Sequence, residues 1–435
     1  MKKKVDDKKE LGEAVRKMLD SFLVSPDSSL YKSLNEAISH ARETILNEGL
    51  LGFNRIEDYK SFLHGHLDRA VKSWKNSKIC IIPSCSNRSI KKSHAISKSL
   101  HIESVSEEGH VYTPKWDFTK QKLTLQKTGV NNASTFPGFC EKHEQLFSNF
   151  EQKGKFDTPY DYYLQSLRTI CREVCINTEK IRNLKELVDS NREVIKKRGT
   201  QLFWEYLQNN GIDLFDKPTI ANFASTIFGD YFSYIDQMVS YMSNEITQDE
   251  KNFLLPLANG LANPSEIKKI FIFRIPVPYK LPLALSGKGN FYCQVSGTTI
   301  NIPVLINILP STISSQILLC GQFQYKNCLE VYSNFLIESP ISPLIFAESW
   351  MIHGSDHWFL QPSVWENLIE EKMRKILLDI HDLSRNIGME YEISIFDDLR
   401  RECLNKYDLP ELILEKEIKK LNQNEGFSVF KDKVQ

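Results

Sequence analysis

Neither sign of charge is in excess in this chain, with 55 acids against 55 bases, so no global field draws it to nucleic acid or to a membrane surface. Long apolar runs are missing as well. No stretch approaches the ~20 residues needed to cross a bilayer, and the start, MKKKVDDKKELGE, lacks the apolar core of a secretory leader. The expectation is a cytoplasmic protein with no membrane partner. There is no phosphate-cradling P-loop, no GxSxG nucleophile elbow, no dinucleotide fingerprint and no repeat of 20–50 residues. These absences argue against nucleotide-dependent and serine-hydrolase chemistry and against a solenoid.

What is present is ample apolar material, 41% of 435 residues, which bounds the chain to two or three globular domains. Residues 8–75 carry apolar side chains at helical spacing (Leu11, Val15, Met18, Leu19, Phe22, then Ile56, Tyr59, Phe62, Leu63, Leu67). Residues 78–150 change character, with Pro83, Gly109, Pro114, Gly129, Pro137 and Gly138 punctuating short β-like runs at 110–116 and 122–127 before a helix near Cys140. Long helices return over 158–209, with two more expected at 219–243 and 246–261. Residues 268–338 read as antiparallel strands, and helical spacing resumes after Pro362, with frayed residues from Asn422. The fold class is therefore α+β. The expected segments are a helical lead-in (1–77), a small Cys/His module (78–156), a helical domain (157–265), a β-rich domain (266–362) and C-terminal helices (363–435).

In a reducing compartment the nine cysteines do not make a disulfide framework, and paired spacings are better read as metal binding. KICIIPSCSNRSIKKSHAISKSL, residues 78–100, places Cys80 and Cys85 around a Pro83-Ser84 turn. FPGFCEKHEQLF, residues 136–147, places Cys140 and His143 on one side of a first helical turn. Three thiolates and an imidazole suit tetrahedral zinc. A module with many turns and a thin apolar core is the kind a metal holds together. The alternative is that Cys80 and Cys85 are small buried hydrophobes and His143 an ordinary helix residue.

Knuckle, hairpin and ligand-bearing helix are the layout of a treble clef. SHAIS at 93–97, then Asn131-Asn132, then Cys140 and His143 opening a helix, resembles the HNH, or ββα-metal, nuclease pattern over 78–150. That resemblance implies His94 as general base, Asn131 or Asn132 as the organising asparagine, and a helix residue, Glu144 standing nearest, as ligand to a catalytic magnesium or manganese ion (Mg or Mn) beside a structural zinc (Zn). It departs from the family at Ser93, where an acid or histidine is usual, and in lacking the second helix histidine. The partners it implies are DNA or RNA, with Arg88, Lys91, Lys92 and Lys98 on backbone phosphates. SHAIS with GFCEKHEQLF is also similar to uncharacterised bacterial proteins, some in phage defence. The rival reading is an interaction or ligand-binding protein with a purely structural zinc.

A second polar and aromatic stretch, ESWMIHGSDHWFLQPSVWENL (348–368), carries His353, Asp356 and His357 among Trp350, Trp358 and Trp365. It reads either as a metal or acid/base site or as aromatic packing with Pro362 starting a helix. Cys171 and Cys175, one helical turn apart with no partner pair, read as buried core.

Overall fold

The structure is a computed structural model, and it describes residues 29–48, 52–117, 122–156, 158–212, 233–295, 297–380 and 390–426. The apolar pattern at Leu11–Phe22, the first half of the helix expected at 219–243 and the residues after Gly426 lie outside the described residues. In chain order the elements are α1 (Ser29–Glu48), α2 (Ile56–Lys75), β1 (Ser93–His94), β2 (His110–Asp117), β3 (Lys122–Gly129), β4 (Thr135–Phe136), α3 (Glu141–Glu144), α4 (Ser148–Lys153) and α5 (Pro159–Asn209). They continue with α6 (Ser233–Asp249), α7 (Leu255–Gly260), α8 (Pro264–Ile267), β5 (Ile270–Val277), β6 (Leu283–Val295), β7 (Thr298–Pro310) and β8 (Ser315–Gln322). Last come α9 (Lys326–Glu338), α10 (Ser342–His353), β9 (Trp358–Leu360), α11 (Pro362–Glu366), α12 (Glu370–Ile380), α13 (Asp397–Lys406) and α14 (Glu411–Gly426). The fold class is mixed α and β, with an antiparallel sheet and C-terminal helices.

The chain divides into two compact units. The first combines 1–75 with 177–246. Its core follows from the apolar stripe of α1, where Leu34, Ala37, Ile38, Ala41 and Ile45 recur at helical spacing and pack on Val188, Ile195, Leu202, Phe203 and Leu207 of α5. Gly52 is required here: its φ of +85° is left-handed, and a Cβ would stand 3.0 Å from the Ile195 backbone.

The second unit combines 76–176 with 247–435. Its centre is a seven-stranded sheet in the order β3-β2-β9-β6-β7-β8-β5. The 110–129 hairpin and the strands of 270–322 thus share one sheet, joined through β9, whose Leu360 pairs with Tyr112 on one side and Leu283 on the other. The apolar run NIPVLINILP has no alternation because both of its faces are covered. Ile302, Val304, Ile306 and Ile308 face a core that includes Leu344, Ala347, Trp350 and Met351 of α10. Asn307 faces the other way, where its Oδ1 accepts from Gln165 Nε2 (3.0 Å) and Thr169 Oγ1 (2.8 Å) of α5.

Residues 326–338, expected to be strand, are helix α9. The stretch is rich in β-branched and aromatic side chains, yet Leu329, Ser333 and Leu336 fall at helical spacing and are the buried ones. The expected break between 243 and 246 is also absent: helix runs from Ser233 into a wide turn at Glu250–Leu254 and on through α7, loosening just ahead of Pro256, which has no N–H to donate.

Candidate metal centre

The knuckle is built by local hydrogen bonds. Cys85 N–H donates to Ile82 O (3.1 Å), Cys80 N–H to Asn87 O (2.9 Å), and Ser84 takes a left-handed φ of 65°, which turns the second thiol back toward the first. The knuckle is then tied to the second ligand pair. Ile81 N–H donates to Gly138 O (2.8 Å) and Ile90 N–H to Phe139 O (2.7 Å), the two residues just before Cys140. Cys140 opens α3, and His143 N–H donates to its carbonyl (3.0 Å), so both side chains leave the same helical turn.

These constraints bring Cys80, Cys85, Cys140 and His143 together, with all ligand atoms within 4.8 Å of one another. Cys80 Sγ lies 3.3 Å from His143 Nδ1, Cys140 Sγ lies 3.4 Å from the same nitrogen, and Cys85 Sγ is 3.9 Å from Cys140 Sγ. A tetrahedral zinc with bonds of ~2.3 Å to sulfur and ~2.0 Å to nitrogen spaces its ligands roughly 3.5–3.8 Å apart. The donor set fits zinc in chemistry and in spacing. Among the described residues it is the one such cluster.

The electrostatics point the same way. Burial pushes the Cys80 thiol up to about 12, a state that a bound cation reverses because a coordinating thiol gives up its proton. At Cys140 burial acts upward too, but hydrogen bonds from the His143 backbone, Cys80, Cys85 and Asn87 outweigh it and hold the thiol below its ordinary value. His143 is held low by burial and by Lys142, which favours the neutral, ligating imidazole.

The apolar core around this cluster is not thin. Phe136, Phe139, Phe147, Phe150, Phe156 and Tyr162 run ring to ring at 4.7–6.2 Å, and the first four are fully buried. The aromatic spacing hides this from a periodicity reading, because the rings come from three elements and the three segments that connect or precede them.

Beside the cluster, His94 ends β1 opposite Thr135 of β4. Its Nδ1 is buried without a partner, and burial, then the nearby Arg168, hold its pKa below the usual histidine value. Glu144 faces Arg168 Nη2 at 3.4 Å, and Glu151 faces Nη1 at 2.8 Å. Burial pushes the Glu144 carboxyl up, against the pull of Arg168. Asn131 and Asn132 are exposed, and Asn132 Oδ1 accepts from Lys92 Nζ at 2.8 Å. Arg88 and Lys91 are exposed as well, Arg88 donating to Ser77 O (3.1 Å), while Lys98 pairs with Glu103 at 3.5 Å. Nothing in the local pattern marks Arg168 as part of this neighbourhood. The available signal is that DYYLQSLRTICREVC, at 161–175, lacks the continuous charged face of a surface helix, and nearly all of it is buried.

At 348–368 the side chains spread apart. His353 sits half-buried at the end of α10 with its ring 5.6 Å from Tyr391, and Asp356 is exposed. His357 is buried with Nδ1 2.8 Å from Ser286 Oγ, and burial, then Arg172, push its pKa well down. Ser286 is fully shielded from solvent, so this serine and histidine pair holds β6 to the β9 approach. Trp350, Trp358 and Trp365 are all buried, and α11 begins at Pro362. Cys171 and Cys175 are buried in α5.

Compared with known proteins, the chain matches no family model, no curated protein and no solved structure. Among the described residues no helix is long and apolar enough to cross a membrane.

Proposed function

We propose that the three-cysteine, one-histidine cluster holds a structural zinc in a treble-clef module of HNH type, and that this module engages nucleic acid and hydrolyses phosphodiester bonds. The observation carrying the proposal is the order of parts around one metal site: β1 ending in His94, β4 antiparallel to it, and a helix opened by two of the zinc ligands. His94 takes the proton from the attacking water. Its pKa, held below the usual histidine value, leaves the imidazole neutral near pH 7, as a general base requires. Arg88, Lys91 and Lys92 meet backbone phosphates, with Asn131 and Asn132 ordering the loop. The phage-defence role implied by the sequence resemblance belongs to the same reading.

A magnesium or manganese ion would supply charge neutralisation on the scissile phosphate. The residues present do not form a resident site for it, because Glu144 is ion-paired with Arg168. That same pair favours the second reading, an interaction protein whose zinc only shapes the module. Incubation of the full chain with plasmid, phage DNA and RNA, in magnesium and in manganese, separates the two. The nuclease reading expects cleavage that is lost in His94→Ala with zinc content and melting temperature unchanged. Wild-type protein that holds zinc and cuts none of the substrates leaves the interaction reading.

A further inference from the structure

Of the nine cysteines, three belong to the zinc cluster, and Cys171, Cys175, Cys320 and Cys403 are buried as small apolar groups. Cys293 and Cys328 differ from both sets. Each is half-buried, and the two thiols interact with one another. Cys293 lies on β6 and Cys328 in the first turn of α9, and their neighbours fix that meeting independently. Phe291, two residues before Cys293 and on the same face of the strand, stacks on Tyr332 at 3.9 Å between centroids with planes 16° apart. Tyr332 is one helical turn beyond Cys328, and its hydroxyl donates to Tyr292 O over 2.6 Å. These two contacts bring α9 against the stretch of β6 that carries Cys293, and the thiols are the next pair along.

We propose that Cys293 and Cys328 are a peroxide-responsive dithiol, closing to an intramolecular disulfide that pins α9 to β6. Cys293 sulfur attacks one oxygen of hydrogen peroxide, the O–O bond breaks, and a sulfenic acid and one water result. Cys328 sulfur then displaces the hydroxyl as a second water. Two thiols and one peroxide become one disulfide and two waters, the sulfurs being oxidised and the peroxide reduced. The neighbouring Cys293 thiol, and then burial, push the Cys328 thiol up to about 11, which makes it a poor first nucleophile toward peroxide and leaves it the second step. This inference is independent of any nuclease activity.

The test uses the full zinc-loaded chain. Brief treatment with hydrogen peroxide, alkylation of remaining thiols and peptide mapping should recover a peptide pair joined through Cys293 and Cys328, lost on addition of dithiothreitol. Cys328→Ser should instead leave a sulfenic acid on Cys293 that a dimedone probe captures, and Cys293→Ser should leave Cys328 unmodified. Recovery of both residues as free thiols after the zinc-cluster cysteines have oxidised overturns the proposal. So does either one linked to a different cysteine.

Discussion

Arg168, fully shielded from solvent in α5, donates to Glu144 in the turn that Cys140 begins, and so ties the helix of the candidate metal site to the sheet-covering helix. The guanidinium also stacks on the Phe147 ring at 4.1 Å and reaches Glu151. Arg168→Met keeps the apolar stem but leaves two partly buried carboxylates without their cation. The expected loss is about 3 kcal/mol at pH 7, read from urea unfolding, with part recovered in mild acid as the carboxylates protonate. A loss under about 1 kcal/mol would mean that the stacked stem, and not the charge, holds the contact.

Cys140→Ser tests the metal centre itself. Zinc content should fall from one ion per chain to none, with a loss of several kcal/mol in the stability of the second unit. Because the run of phenylalanines packs independently of the ion, far-ultraviolet helicity should largely persist at low temperature. Elemental analysis with a thermal melt checks both outcomes, and zinc retained at full stoichiometry in the variant would sink the assignment.

His101 sets a pH dependence. It is fully buried, its Nδ1 lies 2.8 Å from Pro310 O, and burial lowers its pKa to about 4. The unfolded chain binds this proton near pH 6.5 and the folded chain does not until about pH 4, so stability is full above the first value and falls as pH drops toward the second. The loss amounts to about 3 kcal/mol. Unfolding free energies from urea titrations at pH 7 and pH 4.5 should lie closer together by roughly that amount in His101→Gln than in wild type.

Glu348, Arg400 and Glu417 form a fully buried triad, with Glu348 Oε1 also accepting from the Ile395 (2.7 Å) and Phe396 (3.0 Å) backbones. Arg400→Met strands two carboxylates and should cost about 3–5 kcal/mol. The triple variant Glu348→Gln, Arg400→Met, Glu417→Leu removes the charges together and should regain most of that loss. Calorimetric unfolding of the two variants decides the matter: equal losses would show that shape, and not unpaired charge, is what the single substitution removes.

The candidate metal cluster was legible because a knuckle and a helix start each carry two donors at fixed local spacing, Cys80 with Cys85 and Cys140 with His143. The strands of NIPVLINILP were legible for a similar reason, since an unbroken apolar run between prolines has few places to go. Helix α9 was not. Its Val331, Phe335 and Ile337 carry β-propensity outward, and only packing against the sheet shows that Leu329 and Leu336 set the period.

By itself, then, the order of residues determined which side chains can bind a soft cation, where chain turns fall and that the class is α+β, because each of these depends on chemistry within a few neighbouring positions. Tertiary structure alone decided that the 110–129 hairpin joins the strands of 270–322 in one sheet, that Arg168 claims Glu144 and Glu151, and that Cys293 meets Cys328. Those pairings join segments far apart along the chain. They are selected by burial and by charge compensation summed over the whole unit, a quantity that no local window of sequence contains.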